Sequence, residues 1–243
     1  MINILFILVV VSFSLLQIIE VFSFSSRVAG KYKNSMALGY TLQQAFFTAS
    51  RGLLLLFLPS IAFLVESKIS VQDYSLTSSL SLFISAVASF WLLIKLNSSQ
   101  LFFQKVIFHC QKNRVPKSVY LALFQNNSDL INVYVTFNIK KINFKKFLTS
   151  FFAYFFLSSG FFLVFFLASI FSEYRLTLSQ ITPLFHGIGA ILVAFYLDPM
   201  LSKSIDVEND SVLWLRNIYT VIFGRVVSFL FTSFLFMLIV VFY

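Results

Sequence analysis

Three arginines and two carboxylates stand inside, or at the lip of, otherwise apolar runs: Arg27, Arg51, Arg225, Glu20 and Asp198. Charge at such positions is costly unless it pairs, snorkels to the interface or faces water. Taken singly, each is equally well read as a helix-end side chain reaching for the headgroups. Glu20, Arg51, Asp198 and Arg225 fall on four different runs, and all toward the same ends of them, which describes a shared polar vestibule. Gln17, Gln43, Gln44 and Ser50 lie near that level and extend it. A guanidinium is planar, keeps its charge at depth and binds an oxyanion in a bidentate fashion. An arginine-rimmed vestibule therefore suits a phosphate or diphosphate. Glu20 and Asp198 are the candidates to hold the arginines when no anion is present, and to act as a protonated switch.

Other chemistry finds little support. There is no P-loop pattern, no dinucleotide-binding glycine motif and no HExxH pair. His109 and His186 are expected on opposite sides of the membrane, with His186 near the outer end of its run in a capping or interface role. The single Cys110 allows no internal disulfide and no cysteine metal cluster. No catalytic residue, metal or cofactor is expected. Asp206, Glu208 and Asp210 form the one acidic cluster and read as a solvated turn balanced by Lys203.

The elements that must position these groups follow from composition. The 243 residues are 59% hydrophobic and only 11% charged, with a mean hydropathy of +0.90. That balance fits a polytopic membrane protein and not a soluble domain. The net charge of +9 reports on loop orientation and anionic headgroups rather than on nucleic acid. Six runs approach the ~20 apolar residues that a bilayer core requires. They lie near Asn3 to Ser23, Ala45 to Val65, Leu76 to Leu96, Phe147 to Phe171, Ile181 to Leu197 and Ile218 to Tyr243. The second extends back toward Ser35, and Pro59 is placed to kink it. The fifth, with Pro183, Gly187 and Gly189, is expected to be broken or closely approached by a neighbour. No basic residue precedes the first run, and Phe22 and Phe24 occupy the would-be cleavage region, so a retained first helix is expected.

Basic residues set the orientation. Arg27, Lys31 and Lys33 follow the first run. Lys105, Lys112, Arg114, Lys117, Lys140, Lys141, Lys145 and Lys146 lie between the third and fourth, and Lys203 and Arg216 between the fifth and sixth. The opposite connections carry Lys68 and Arg175. The bias puts both termini outside and the long loop, residues 97–146, in the cytoplasm. Within that loop the pattern of Leu101, Phe102, Val106 and Phe108 suits a helix in the headgroup plane, and a second short piece follows Pro116. The expected architecture is thus all-α: about six transmembrane helices in one bundle, forming a single integral membrane domain.

"IEVFSFSSRVAG", followed by "ALGYTLQQAFFTASR", resembles the N-terminal signature of the Amj-type lipid II flippases. The matching positions are Ile19, Glu20, Ser25, Arg27, Ala29, Gly30, Ser50 and Arg51. "YLDPMLSKSID", with Asp198, Pro199, Ser202 and Asp206, resembles that family's DP-containing turn, and Gly224 with Arg225 its Gly-Arg pair. The sequence departs from the family pattern at Phe22, Phe24, Gln43 and Gln44. The resemblance implies a transporter of the bacterial inner membrane. It would move undecaprenyl-diphosphate-linked peptidoglycan precursor from the cytoplasmic to the outer leaflet. Arg27, Arg51 and Arg225 would bind the diphosphate, with the glycolipid and membrane lipids as partners. Three alternatives stay open: a flippase for another polyprenyl-linked oligosaccharide, a membrane enzyme acting on polyprenyl phosphates, and a structural subunit of cell-envelope assembly.

Overall fold

The computed structural model describes residues 2–125, 130–131, 138, 142–207 and 211–242, and among these there is no strand. Lys140, Lys141, Glu208 and Asp210 lie outside the described residues. Among the described residues, six helical segments are long and apolar enough to cross a membrane: Ile2–Tyr32, Met36–Glu66, Val71–Ile94, Phe144–Ile170, Ser172–Asp206 and Trp214–Phe242. In hydrocarbon every backbone polar group needs an internal partner, and apolar helices supply one for nearly all of them. Their outward faces carry exposed Leu55, Phe63, Trp91, Phe195 and Phe234, side chains suited to lipid.

The first segment is one helix, α1 (Ile2–Tyr32). It runs well past Ser23, where the apolar run ends, so Arg27 is a buried helical side chain rather than a loop cation. The reason lies in Gly30, which packs on Gly39 of α2 (Met36–Ser50). A Cβ on Gly30 would lie 2.9 Å from the Gly39 Cα, and Ser26 donates to the Gly39 carbonyl at 2.8 Å. Two backbones in such contact prolong both helices beyond the apolar stretch that hydropathy detects. The reversal comes only at Asn34, which takes a left-handed φ of 50°.

The second segment breaks at a 3-10 turn, Arg51–Leu53, before α3 (Leu54–Glu66), and Pro59 sits inside α3. Next comes α4 (Val71–Ile94), whose buried Ser75, Ser78, Ser81, Ser85 and Ser89 let it lie close to its neighbours. Ser79 and Ser233 exchange hydrogen bonds between α4 and the last helix, α12 (Ser211–Phe242).

Helices α5 (Leu96–Cys110) and α6 (Val115–Phe124) follow. The apolar face of α5 packs through Phe103, Val106 and Ile107 on Ala29 of α1 and Leu42 of α2. Its amphipathy therefore has a protein partner. The fourth segment is α7 (Phe144–Tyr154), a π turn over Phe155–Ser159, and α8 (Gly160–Ile170). The fifth starts with a 3-10 turn, Ser172–Tyr174, and the short α9 (Arg175–Ser179), and continues as α10 (Thr182–Leu192), a π turn over Val193–Leu197, and α11 (Asp198–Val207). The expected break in this segment is present.

Two of the three apolar cores among the described residues meet along α1 and α12. One gathers Val9, Phe13, Phe57, Phe162 and Phe229. The other gathers Val21, Phe24, Leu93, Trp214 and Ile222. On α1 the seam between them falls at Gln17 and Glu20, and on α12 at Arg225.

Candidate functional site

Gln17, Glu20, Phe24, Arg27 and Lys31 recur at spacings of three and four and so form one stripe on α1. The other charged helices converge on that stripe in two tiers, two helical turns apart.

The deeper tier centres on Glu20, whose side chain is 1% exposed. Arg225 Nη2 donates to its Oε2 at 2.6 Å, and Arg51 Nη2 lies 3.3 Å from its Oε1. Arg225 also donates to Gln17 Oε1. Its guanidinium lies 4.5 Å from the centroid of the Tyr154 ring and 5.5 Å from that of Phe229. Aromatic faces carry negative potential, so these rings help to hold a cation that is cut off from water.

The second tier joins Arg27 to Asp198, at the first residue of α11, and to Gln43 Oε1 of α2. The Arg27 guanidinium faces the Tyr40 ring at 4.8 Å. Asp198 and Pro199 begin a helix directly after a π turn, so the expected DP turn is a change of helical pitch rather than a reversal. Gln44 lines a cavity of about 40 Å³ together with Asp198 and Tyr154. Ser50 is buried, but its hydroxyl donates to the Phe47 carbonyl of its own helix at 2.8 Å. It serves the helix, not the network. Lys31 continues the stripe, donating to the Ile205 carbonyl with its amine over Trp214.

Three expectations change. The charges lie at two depths, not one. They are not displayed around an open vestibule: Arg225 is fully buried and Arg27 3% exposed, and Arg51 is the more accessible guanidinium at 22%. His186 is not a cap near the outer end of its run. Its segment begins at Ser172, because the polar residues Thr177, Ser179 and Gln180 interrupt the hydropathy without ending the crossing. That longer approach brings His186 to the deeper tier.

Arg51 Nη1 lies 3.3 Å from His186 Nε2, and His186 Nδ1 lies 3.0 Å from the Leu157 carbonyl. Arginine can only donate and a carbonyl can only accept. The ring is therefore the neutral tautomer with its proton on Nδ1. Sequence reading missed this residue, whose only signal was a lone histidine next to two glycines.

Three of the helix breaks border the two tiers. Arg51 begins the 3-10 turn, Leu157 belongs to the first π turn, and Asp198 follows the second. Irregular helix is tolerated in a membrane where it is buried in protein, and it frees backbone groups for a site. Gly189 packs α10 directly on the first π turn, since a Cβ there would lie 2.6 Å from the Leu157 Cα, whereas one on Gly187 meets open space. Gly189→Ala is expected to destabilise the protein by about 1–3 kcal/mol through overpacking. Gly187→Ala should be neutral or stabilise by up to ~1 kcal/mol through helix propensity. Thermal unfolding in detergent compares the two.

Fold and site together define a polytopic helical membrane protein with a buried guanidinium–carboxylate network at the junction of broken helices. The chain belongs to the Amj family, described as alternate to MurJ, whose model matches residues 13–241. The family name carries the role of an alternate lipid II flippase. No curated protein and no solved structure matches the chain.

Proposed function

We propose that this protein moves lipid II, or a close polyprenyl-diphosphate glycolipid, from the cytoplasmic to the outer leaflet of the bacterial inner membrane. Arg27, Arg51 and Arg225 would bind the diphosphate. The observation that carries this reading is a charge imbalance. Three guanidiniums meet two carboxylates in the ion-paired network, leaving one positive charge in excess. Arg225 Nε and Nη1 and Arg27 Nη1 are buried without a hydrogen-bond partner. Buried donors and uncompensated charge are costly, and a phosphate would relieve both.

Transport then proceeds by alternating access. Glu20 and Asp198 hold the arginines between cycles and yield them to phosphate oxygens as substrate enters. Gln17, Gln43 and Gln44 keep the network hydrogen-bonded during the exchange. A cavity of about 240 Å³ beside Arg27, lined by Tyr40, Ser202 and Asp206, offers the headgroup its approach. The breaks in the second, fourth and fifth segments are the places where the bundle rocks.

The reading places both termini outside and loop 97–146 in the cytoplasm, within one membrane domain. Lys112, exposed between α5 and α6, tests that orientation. In a Cys110→Ser background, Lys112→Cys should react with an impermeant maleimide only after cells are permeabilised. Labelling of intact cells would reverse the orientation.

Function is tested by expressing the protein in a bacterium depleted of its own lipid II flippase. Restored growth is expected, and is expected to be lost in Arg27→Ala/Arg51→Ala/Arg225→Ala. Rescue by the triple variant would remove the arginines from the mechanism. A stably inserted wild type that fails to rescue would turn the assignment toward another glycolipid.

A further inference from the structure

We infer that the groove between α3, α8 and α10 seats the polyprenyl chain of the lipid whose diphosphate the arginines bind. This inference rests on the proposed function and extends it to a second, apolar site.

The groove is open-sided, with a volume of about 550 Å³, within the ~300–1,000 Å³ usual for ligand pockets. Leu58, Pro59 and Ala62 form one wall, Phe161 and Phe165 another, and His186 lies among its lining residues. All of them belong to membrane-spanning segments, so the natural occupant is hydrocarbon rather than water. What singles out one hydrocarbon is the polar end. His186 contacts Arg51, and Arg51 pairs with Glu20. A chain lying here places an attached anionic head against the most accessible guanidinium of the network. The wall from Leu54 to Ala62 is ~12 Å long at the helical rise. The groove therefore takes the units next to the diphosphate and leaves the remainder in the bilayer.

Lipid tails are as apolar as this groove, so the seat adds little affinity. Its effect is to set position: it aligns the first units and so presents the diphosphate to Arg51. The test must therefore read where the chain lies, not how tightly the lipid binds.

The probe is undecaprenyl diphosphate, included as a minor component of phosphatidylglycerol nanodiscs holding the full-length protein. A photoreactive benzophenone amino acid replaces Leu58 in the groove or, as control, Leu55 on the exposed face of the same helix. Mass spectrometry gives the ratio of polyprenyl to phospholipid adducts. That ratio is expected to be about tenfold higher at position 58 than at 55, since one charge-assisted hydrogen bond separates competing lipids by roughly that factor. It should fall to the position-55 value in Arg51→Ala, a readout that also shows the head is held.

Equal ratios at both positions, with inorganic diphosphate still binding to the wild type, would overturn the chain assignment alone. Enrichment of phosphatidylglycerol at position 58 would do the same. Failure of inorganic diphosphate to bind the wild type would instead overturn the arginine reading beneath it. A Phe165 benzophenone variant repeats the measurement from the opposite wall in case the Leu58 variant does not fold.

Discussion

Glu20→Gln is expected to destabilise the folded protein by about 3–5 kcal/mol, the cost of leaving a buried cation without its counterion. Arg225 is fully buried and Glu20 1% exposed, so water cannot replace the lost charge. The variant would leave Arg225 with Gln17 and the faces of Tyr154 and Phe229, and would also release Arg51. Thermal unfolding of the detergent-solubilised protein measures the loss. The double variant Glu20→Leu/Arg225→Met should recover most of it, because replacing a buried pair with apolar volume is often close to neutral. Growth rescue should not return with stability, since a ligand for the substrate has gone. An unchanged melting temperature for Glu20→Gln would mean that the pair does not hold the two apolar cores in register.

Arg51→Ala is expected to separate binding from folding. Arg51 is the more accessible guanidinium and stands 3.3 Å from Glu20, whereas Arg225 holds the same carboxylate at 2.6 Å. Its removal leaves the stronger pair intact, so the stability change should stay within about 1 kcal/mol, as for other partly exposed ion pairs. Diphosphate affinity should fall by roughly 10- to 100-fold, the range of one or two lost charge-assisted hydrogen bonds. Arg51→Lys should lie between, keeping charge but losing the planar fork. Isothermal titration with inorganic diphosphate reads both variants. Equal affinity in wild type and Arg51→Ala would place the anion elsewhere.

The membrane class, the six crossings and the identity of the charged groups were legible because each depends on a local property, a run of apolar residues interrupted by charge. Their arrangement was not. Hydropathy ended the first run near Ser23, yet α1 continues to Tyr32, because the Gly30–Gly39 contact is a pairing between helices that no single window contains. For the same reason Arg27 read as a loop cation when it is a buried partner of Asp198. The stripe Gln17, Glu20, Phe24, Arg27, Lys31 was present in the spacing and would have revealed two tiers had helix been assumed throughout. The serines of α4 recur at helical spacing, and they too announced a packed face. His186 was beyond reach, since its meeting with Arg51 depends on where a π turn and Gly189 place one helix against another. Pitch changes of that kind have no sequence signature comparable with an apolar run.

The arginine network is proposed to carry a polyprenyl diphosphate across the bilayer, a claim that leaflet exchange of labelled lipid II tests most directly. Purified protein is reconstituted into vesicles with fluorescent lipid II, and an impermeant quencher reports the fraction accessible outside over time, with membrane potential imposed in either direction. Wild type should accelerate exchange well above protein-free vesicles under at least one condition, and Arg51→Ala, still folded, should return it to the protein-free rate. Exchange by Arg51→Ala at the wild-type rate, or no acceleration by wild type under either potential, would contradict the claim.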